Sequence, residues 1–67
     1  MDKVERKQGL IIKVLGKTVY TLASLPDWDL NYVEITKEDK YDTRRALMQA
    51  RAKVVKVTKE RIYFEEE

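Results

Sequence analysis

Cysteine and histidine are absent from this chain, and glycine, proline, asparagine and glutamine are scarce. Without cysteine the chain can form neither a disulfide nor a thiolate metal site. Without histidine it lacks the commonest general acid–base group and the commonest metal ligand. Ser24 therefore has no histidine to activate it as a nucleophile, and no carboxylate spacing matches a calcium-binding loop. These absences predict a non-enzymatic protein that binds no metal and no cofactor.

Long hydrophobic runs are absent too. No apolar segment approaches the roughly 20 residues of a membrane-spanning helix, and the N-terminus has no secretory signal core. Charged side chains make up 39% of the 67 residues. Abundant lysine and glutamate with few thermolabile side chains is a composition typical of hyperthermophile proteins. We therefore expect one small domain over residues 1–67 that is cytoplasmic and monomeric when free.

The charges are segregated along the chain. Residues 44–61 carry seven basic side chains and one acidic side chain, whereas residues 24–43 carry six acidic and two basic ones. Residues 1–7 are expected to form a flexible charged arm, and residues 65–67 an acidic tail. The basic surplus at 44–61 suits nucleic acid or an acidic protein surface, and it equally suits a solvated face of a thermophilic protein.

A helix is predicted between residues 36 and 55, the longest periodic segment of the chain. Thr36 followed by Asp39 is close to a capping box, in which the Thr hydroxyl accepts a hydrogen bond from a free backbone N–H. Acidic residues lie near the start of the segment and basic residues near its end, as the helix dipole favours. We expect the helix to end between Ala52 and Val55, where the β-branched run begins.

This helix carries two apolar stripes when its residues are placed at intervals of about 100°. One stripe consists of Tyr41, Met48, Ala52 and Val55. The other consists of Thr43, Ala46, Leu47, Ala50 and Val54. Either one broad face packs and the other is merely rich in alanine, or one stripe is left exposed for a partner.

The N-terminal part of the chain predicts an antiparallel hairpin. Residues 8–15 and 18–23 flank Gly16-Lys17, a pair suited to a type II′ turn, so Leu15 should pair with Thr18. The core-facing residues should then be Leu10, Ile12, Val14, Val19 and Ala23. Residues 30–35 alternate as a short third strand, with Val33 and Ile35 on one face.

Two further apolar segments follow the helix, at residues 54–58 and 61–65. They predict a C-terminal strand or a hairpin around Lys59-Glu60, with Ile62 and Phe64 on one face and Tyr63 on the other. The predicted fold class is therefore α+β. It comprises an N-terminal antiparallel β-hairpin, a short third strand, one central α-helix and a C-terminal strand or hairpin.

Residues Ser24–Asp29 predict a loop, because Pro26 keeps Leu25 out of the helical region. Leu25 and Trp28 are three residues apart, so one tight turn would place both on the same side. Trp28 is then either a lid over the small core or an exposed anchor for a partner.

Two binding hypotheses follow. The first is a basic DNA-binding protein of the chromatin type, with Arg44, Arg45, Arg51, Lys53 and Lys56 on phosphates and Trp28 or Tyr20 stacking. Two acidic segments and a net charge of only +2 oppose it. The second is a protein-binding module that uses Leu25, Trp28 and the spare helical stripe.

The whole chain, from MDKVERKQGLIIKV through RRALMQARAKVVKV to RIYFEEE, resembles the small inhibitors of the DNA sliding clamp (proliferating cell nuclear antigen) of Thermococcales archaea. The usual clamp-binding peptide has a glutamine, an aliphatic residue three positions on, and two aromatic residues three and four positions beyond that. Gln8 and Ile11 match its first half, but Val14 and Leu15 replace the aromatic pair. Leu25 and Trp28 match the aliphatic–aromatic half, with Leu22 in place of glutamine and Asp29 in place of the second aromatic.

The resemblance implies a protein that binds the clamp at its peptide pocket and blocks clamp-dependent DNA replication. A helix would extend the contact to the interdomain connecting loop of the clamp and break the trimeric ring. The partner-binding residues expected on this basis are Leu25 and Trp28 as the plug, and Tyr41, Arg44, Arg45 and Met48 as the helical extension.

Overall fold

Six antiparallel strands and one helix make up the described part of the chain. The structure, a computed structural model, describes residues 3–26 and 28–66, with Ser24, Leu25 and Trp28 described in their backbone only. The elements are β1 (Val4–Lys7), β2 (Leu10–Val14), β3 (Lys17–Leu25), β4 (Trp28–Glu34), α1 (Lys40–Gln49), β5 (Lys53–Val57) and β6 (Arg61–Glu66). The strands form one sheet in the order β1-β2-β3-β4-β6-β5. The predicted α+β class is confirmed, with a hairpin at each end of the chain.

Two tight turns build the N-terminal part of the sheet. Gln8-Gly9 joins β1 to β2 with φ angles of 54° and 82°, and Leu15-Gly16 joins β2 to β3 with φ angles of 50° and 78°. Positive φ at both central residues defines a type I′ turn, whose twist matches that of paired strands. The predicted turn at Gly16-Lys17 was therefore wrong by one residue, since Val14 pairs with Lys17. The expectation of a flexible arm at 1–7 was wrong for Val4–Lys7, which pairs with β2.

A bulge at Ile12 decides which residues of β2 are buried. Glu5 pairs with Lys13 and Arg6 pairs with Ile11, so Ile12 is an extra residue on its strand. The bulge resets the alternation, and Ile11 and Val14 are buried together. The predicted core positions Leu10 and Ile12 were wrong, because these side chains are 46% and 37% exposed.

The predicted loop at Ser24–Asp29 is replaced by the end of a hairpin. Leu25 is the last residue of β3 and pairs with Trp28, the first residue of β4. Strand β4 then continues through the predicted third strand to Glu34, and Val33 and Ile35, predicted to share one face, are both buried. Ala23 pairs with Leu30 after a second bulge at Leu22, so Ala23 is not a core residue.

The helix is shorter than predicted and is capped at both its N-terminal and its C-terminal end. Thr36 and Asp39 form the capping box: the Thr36 N–H donates to Asp39 Oδ1 at 2.7 Å, and the Asp39 N–H donates to Thr36 Oγ1 at 3.3 Å. The helix ends at Gln49 because Arg51 adopts a left-handed φ of 64°. The Arg51 N–H donates to Met48 O and the Ala52 N–H to Leu47 O, which is a Schellman motif.

The core lies between α1 and one face of the sheet, and α1 packs on β5 and β2. Its buried apolar residues are Ile11, Val14, Val33, Ile35, Ala46, Leu47, Ile62 and Phe64. Strands β5 and β6 form the predicted C-terminal hairpin, and Ile62 and Phe64 face the core. Of the expected acidic tail at 65–67, Glu65 and Glu66 belong to β6, and Glu67 lies outside the described residues.

Candidate functional site

Helix α1 presents one apolar stripe to the core and the other to solvent. Thr43, Ala46 and Leu47 are buried. Tyr41 and Met48, from the opposite stripe, are 69% and 60% exposed. The structure therefore leaves the stripe of Tyr41 and Met48 exposed. The core stripe is the Thr43–Ala46–Leu47 side, because its residues meet the strands that flank the helix.

The exposed stripe lies in a shallow depression of about 480 Å³ whose described lining residues all belong to α1. The depression, which we call the helix groove, is lined by Tyr41, Arg44, Arg45, Met48 and Gln49. The Arg45 guanidinium carbon lies 5.3 Å from the centroid of the Tyr41 ring, within the range of a cation–π contact. Four of the six residues predicted to bind a partner thus line the same depression.

The charge of the helix groove comes from its two arginines. Within residues 3–26 and 28–66, no carboxylate lies within the 4.0 Å ion-pair distance of Arg44 or Arg45. Each guanidinium can therefore donate two parallel hydrogen bonds to a carboxylate of a partner, which is the strongest side-chain pairing available to arginine. Because Met48 and Tyr41 supply apolar surface beside these forks, the groove suits an acidic surface with an apolar centre.

A network at the N-terminal end of α1 holds the helix on the sheet. Lys17 Nζ lies 3.0 Å from Asp39 Oδ2 and donates to the buried Thr43 hydroxyl at 2.6 Å. Desolvation acts to raise the pKa of Asp39, but the hydrogen bond from the Thr36 N–H and the Lys17 ammonium outweigh it and lower that pKa. The Asp39 carboxylate thus stays charged and ties the capping box to β3.

Leu25 and Trp28 were predicted to act as the plug, and their side chains lie outside the described residues. Their backbones end the β3–β4 hairpin, next to the pair Asp29–Glu66. Glu66 accepts a hydrogen bond from Arg6 at 3.4 Å, and Arg6 also donates to the carbonyl of Ala50 at 2.7 Å. These links place the hairpin tip at the end of the sheet where α1 stops.

The residues predicted to track DNA phosphates are not brought together. Arg44 and Arg45 lie on the outer side of α1. Lys56 pairs with Tyr63 and lies on the sheet face away from the core, since Ile62 and Phe64 on either side of Tyr63 point inward. The core therefore lies between Arg44 and Arg45 on one side and Lys56 on the other.

Sequence reasoning missed a row of tyrosines on that outer sheet face. The register places Tyr20 opposite Tyr32 and Tyr32 opposite Tyr63. Alternation alone indicated that Tyr32 and Tyr63 share a face with their polar neighbours. Only the pairing of strands far apart in the sequence brings the three rings into one row, so no local signal could have found it. Gln49, which lines the helix groove, was also not among the predicted residues.

No protein family, curated protein or solved structure matches this chain. Across the residues that the structure describes, no helix is long and apolar enough to cross a membrane.

Proposed function

We propose that this protein is a non-enzymatic inhibitor of the DNA sliding clamp, which it contacts through the helix groove and through the hairpin tip with Leu25 and Trp28. The observation that carries the proposal is the convergence of Tyr41, Arg44, Arg45 and Met48 on one exposed groove. The identity of the partner rests on the resemblance to the archaeal clamp inhibitors.

The chemistry of the helix groove supports protein binding. Arginine and tyrosine are among the residues that most often dominate interface energies. A methionine with 60% of its surface exposed adds a flexible apolar side chain that adapts to an irregular partner surface. Because the opposite side of α1 is fixed in the core, the groove is presented on a rigid element, which lowers the entropic cost of binding.

The proposed mechanism divides the work between two segments. The hairpin tip with Leu25 and Trp28 occupies the peptide pocket of the clamp, which is present in closed and open rings alike. A ligand shifts an equilibrium only by its difference in affinity for the two states. The helix groove supplies this difference by displacing the interdomain connecting loop, so the ring opens and replication stops. The site of action is the cytoplasm, where an archaeal clamp works.

The test combines calorimetry with light scattering on an archaeal clamp. The variants are Arg45→Ala with Met48→Ala, Trp28→Ala, and the control Arg51→Ala, an exposed arginine outside the helix groove. We expect the groove variant to bind the clamp while leaving the trimer intact, and Trp28→Ala to lose both binding and ring opening. The control should bind the clamp and open the ring like the wild type. Ring opening by a groove variant that still binds would overturn the division of roles. Absence of any binding by the wild type would overturn the choice of partner.

A further inference from the structure

The sheet face opposite the helix carries a built aromatic row. The Tyr20 and Tyr32 rings stack with their centroids 5.4 Å apart and their planes 26° apart. The Tyr63 ring lies 5.7 Å from that of Tyr32 at 47°. Since α1 packs on the other face of the sheet, no described element covers this row.

The central ring of the row, Tyr32, has contacts with neighbouring side chains, whereas Tyr20 at one end has an exposed side. The Arg61 guanidinium lies 4.4 Å from the Tyr32 centroid, so Tyr32 contacts both Tyr20 and a cation. Arg61 also donates to the Tyr63 hydroxyl at 3.3 Å. Tyr20 ends the stack and is 46% exposed. It borders a groove of about 350 Å³, whose other lining residues are Lys17, Thr18, Glu34, Ile35, Thr36 and Asp39.

Cations stand at both ends of the row. Lys56 is opposite Tyr63, and Lys13 is opposite Thr18, which shares a face with Tyr20 two residues on. Both lysines are exposed, and in the described ranges neither has a carboxylate within ion-pair distance. Carboxylates lie on the same face: Glu5 pairs in register with Lys13, Glu34 pairs in register with Arg61, and Glu65 lies 3.9 Å from Lys53. Arg61 is held against Tyr32 and Tyr63 and lies opposite Glu34, so the cations that an anionic ligand can reach are Lys13 and Lys56.

We propose that this face is a stacking surface for single-stranded nucleic acid. Flat bases extend the tyrosine stack from the open side of Tyr20, and phosphates lie against Lys13 and Lys56. Adjacent strands lie about 4.8 Å apart, so the row from β3 to β5 spans roughly 14 Å and takes only a few nucleotides. A duplex keeps its bases stacked on each other and offers no free ring face to the tyrosines, so this surface selects unpaired strands.

The test is fluorescence anisotropy of a labelled oligothymidylate, compared with a duplex of equal length at two salt concentrations. The decisive variants are Tyr20→Leu and Tyr20→Phe, and the matched control is Tyr41→Leu on the helix groove. We expect Tyr20→Leu to weaken single-strand binding by about tenfold or more, while Tyr20→Phe and Tyr41→Leu bind like the wild type. Added salt should weaken binding because phosphate contacts release counterions.

Several results would overturn the proposal. One is equal or tighter binding of the duplex, and another is a Tyr20→Leu variant no weaker than Tyr41→Leu. Loss of binding by Tyr20→Phe would also overturn it, because the effect would then come from the hydroxyl and not from the ring face. No binding by the wild type at low salt would reject the site outright. Thermal melts of each variant exclude unfolding as the cause. Because the row and the helix groove lie on opposite faces, clamp binding and strand binding are tested independently.

Discussion

Two neighbouring residues of α1 provide the sharpest test of which helical stripe forms the core. Leu47 is fully buried, whereas Met48 is 60% exposed, although the two side chains are similar in size and hydrophobicity. Replacing each by alanine removes comparable apolar volume one residue apart on the same helix. The two variants should therefore differ only through the direction in which each side chain points.

The expected magnitudes are far apart. Leu47→Ala leaves a cavity in the core, and such substitutions cost about 2–5 kcal/mol. A core of this size supplies roughly 3–5 kcal/mol in total, so this variant should retain little stability. Met48→Ala removes a side chain that is mostly in water, and surface changes of this kind stay within about 0.5 kcal/mol. Alanine also favours the helix slightly over methionine.

The assay is urea unfolding followed by far-ultraviolet circular dichroism. We expect the midpoint of Met48→Ala to coincide with that of the wild type, and that of Leu47→Ala to fall sharply with an unchanged slope. In a thermal scan the Leu47→Ala midpoint should drop by about 10 °C or more. Equal losses in the two variants would refute the assignment of a single packed stripe, and with it the exposed helix groove.

Two further perturbations test the ends of the helix. Arg51→Gly should stabilise the protein by about 0.5–1 kcal/mol, because glycine adopts the left-handed φ of 64° without steric cost. The control Arg51→Ala should give no gain in stability. A chemical unfolding series in which the alanine variant is more stable than the glycine variant would contradict this. Asp39→Asn should cost about 0.2–1 kcal/mol at neutral pH by removing the charge that pairs with Lys17. Since the folded-state pKa of Asp39 is lowered, this loss should be present above about pH 4 and vanish as the pH falls through the folded pKa, which stability curves against pH would show.

The two candidate surfaces follow different physical rules. The helix groove offers two arginine forks beside exposed apolar side chains and suits an acidic protein surface. The tyrosine row offers ring faces with cations at its ends and suits unpaired bases. Since they lie on opposite sides of the core, substitutions in one should leave the other intact.

Much of the fold could be read from local chemistry. The capping box at Thr36 and Asp39 depends on residues three apart, and it formed as predicted. The alternation in β4 and β6 identified Val33, Ile62 and Phe64 as residues that share a face with their own strand neighbours, and all three are buried. The glycine at the end of β2 indicated a hairpin turn. Each of these signals is local, because it depends on the backbone and side chains of a few adjacent residues.

The tertiary structure decided what local patterns left open or indicated wrongly. Bulges at Ile12, Leu22 and Val55 each shift the alternation by one residue, and these bulged side chains are all exposed. A one-residue shift moves every following side chain to the other face of the sheet. The position of each bulge is set by pairing with the neighbouring strand, and the local sequence does not indicate it.

The same reason applies to the candidate surfaces. The two stripes of α1 are both apolar, so the sequence by itself determined that the helix could pack on either side. It also determined which residues would be exposed in each case. Packing on β5 and β2 selected the Leu47 side and left Tyr41 and Met48 in solvent. The row of Tyr20, Tyr32 and Tyr63 depends on the register of three strands, which is a property of their pairing and of no single segment.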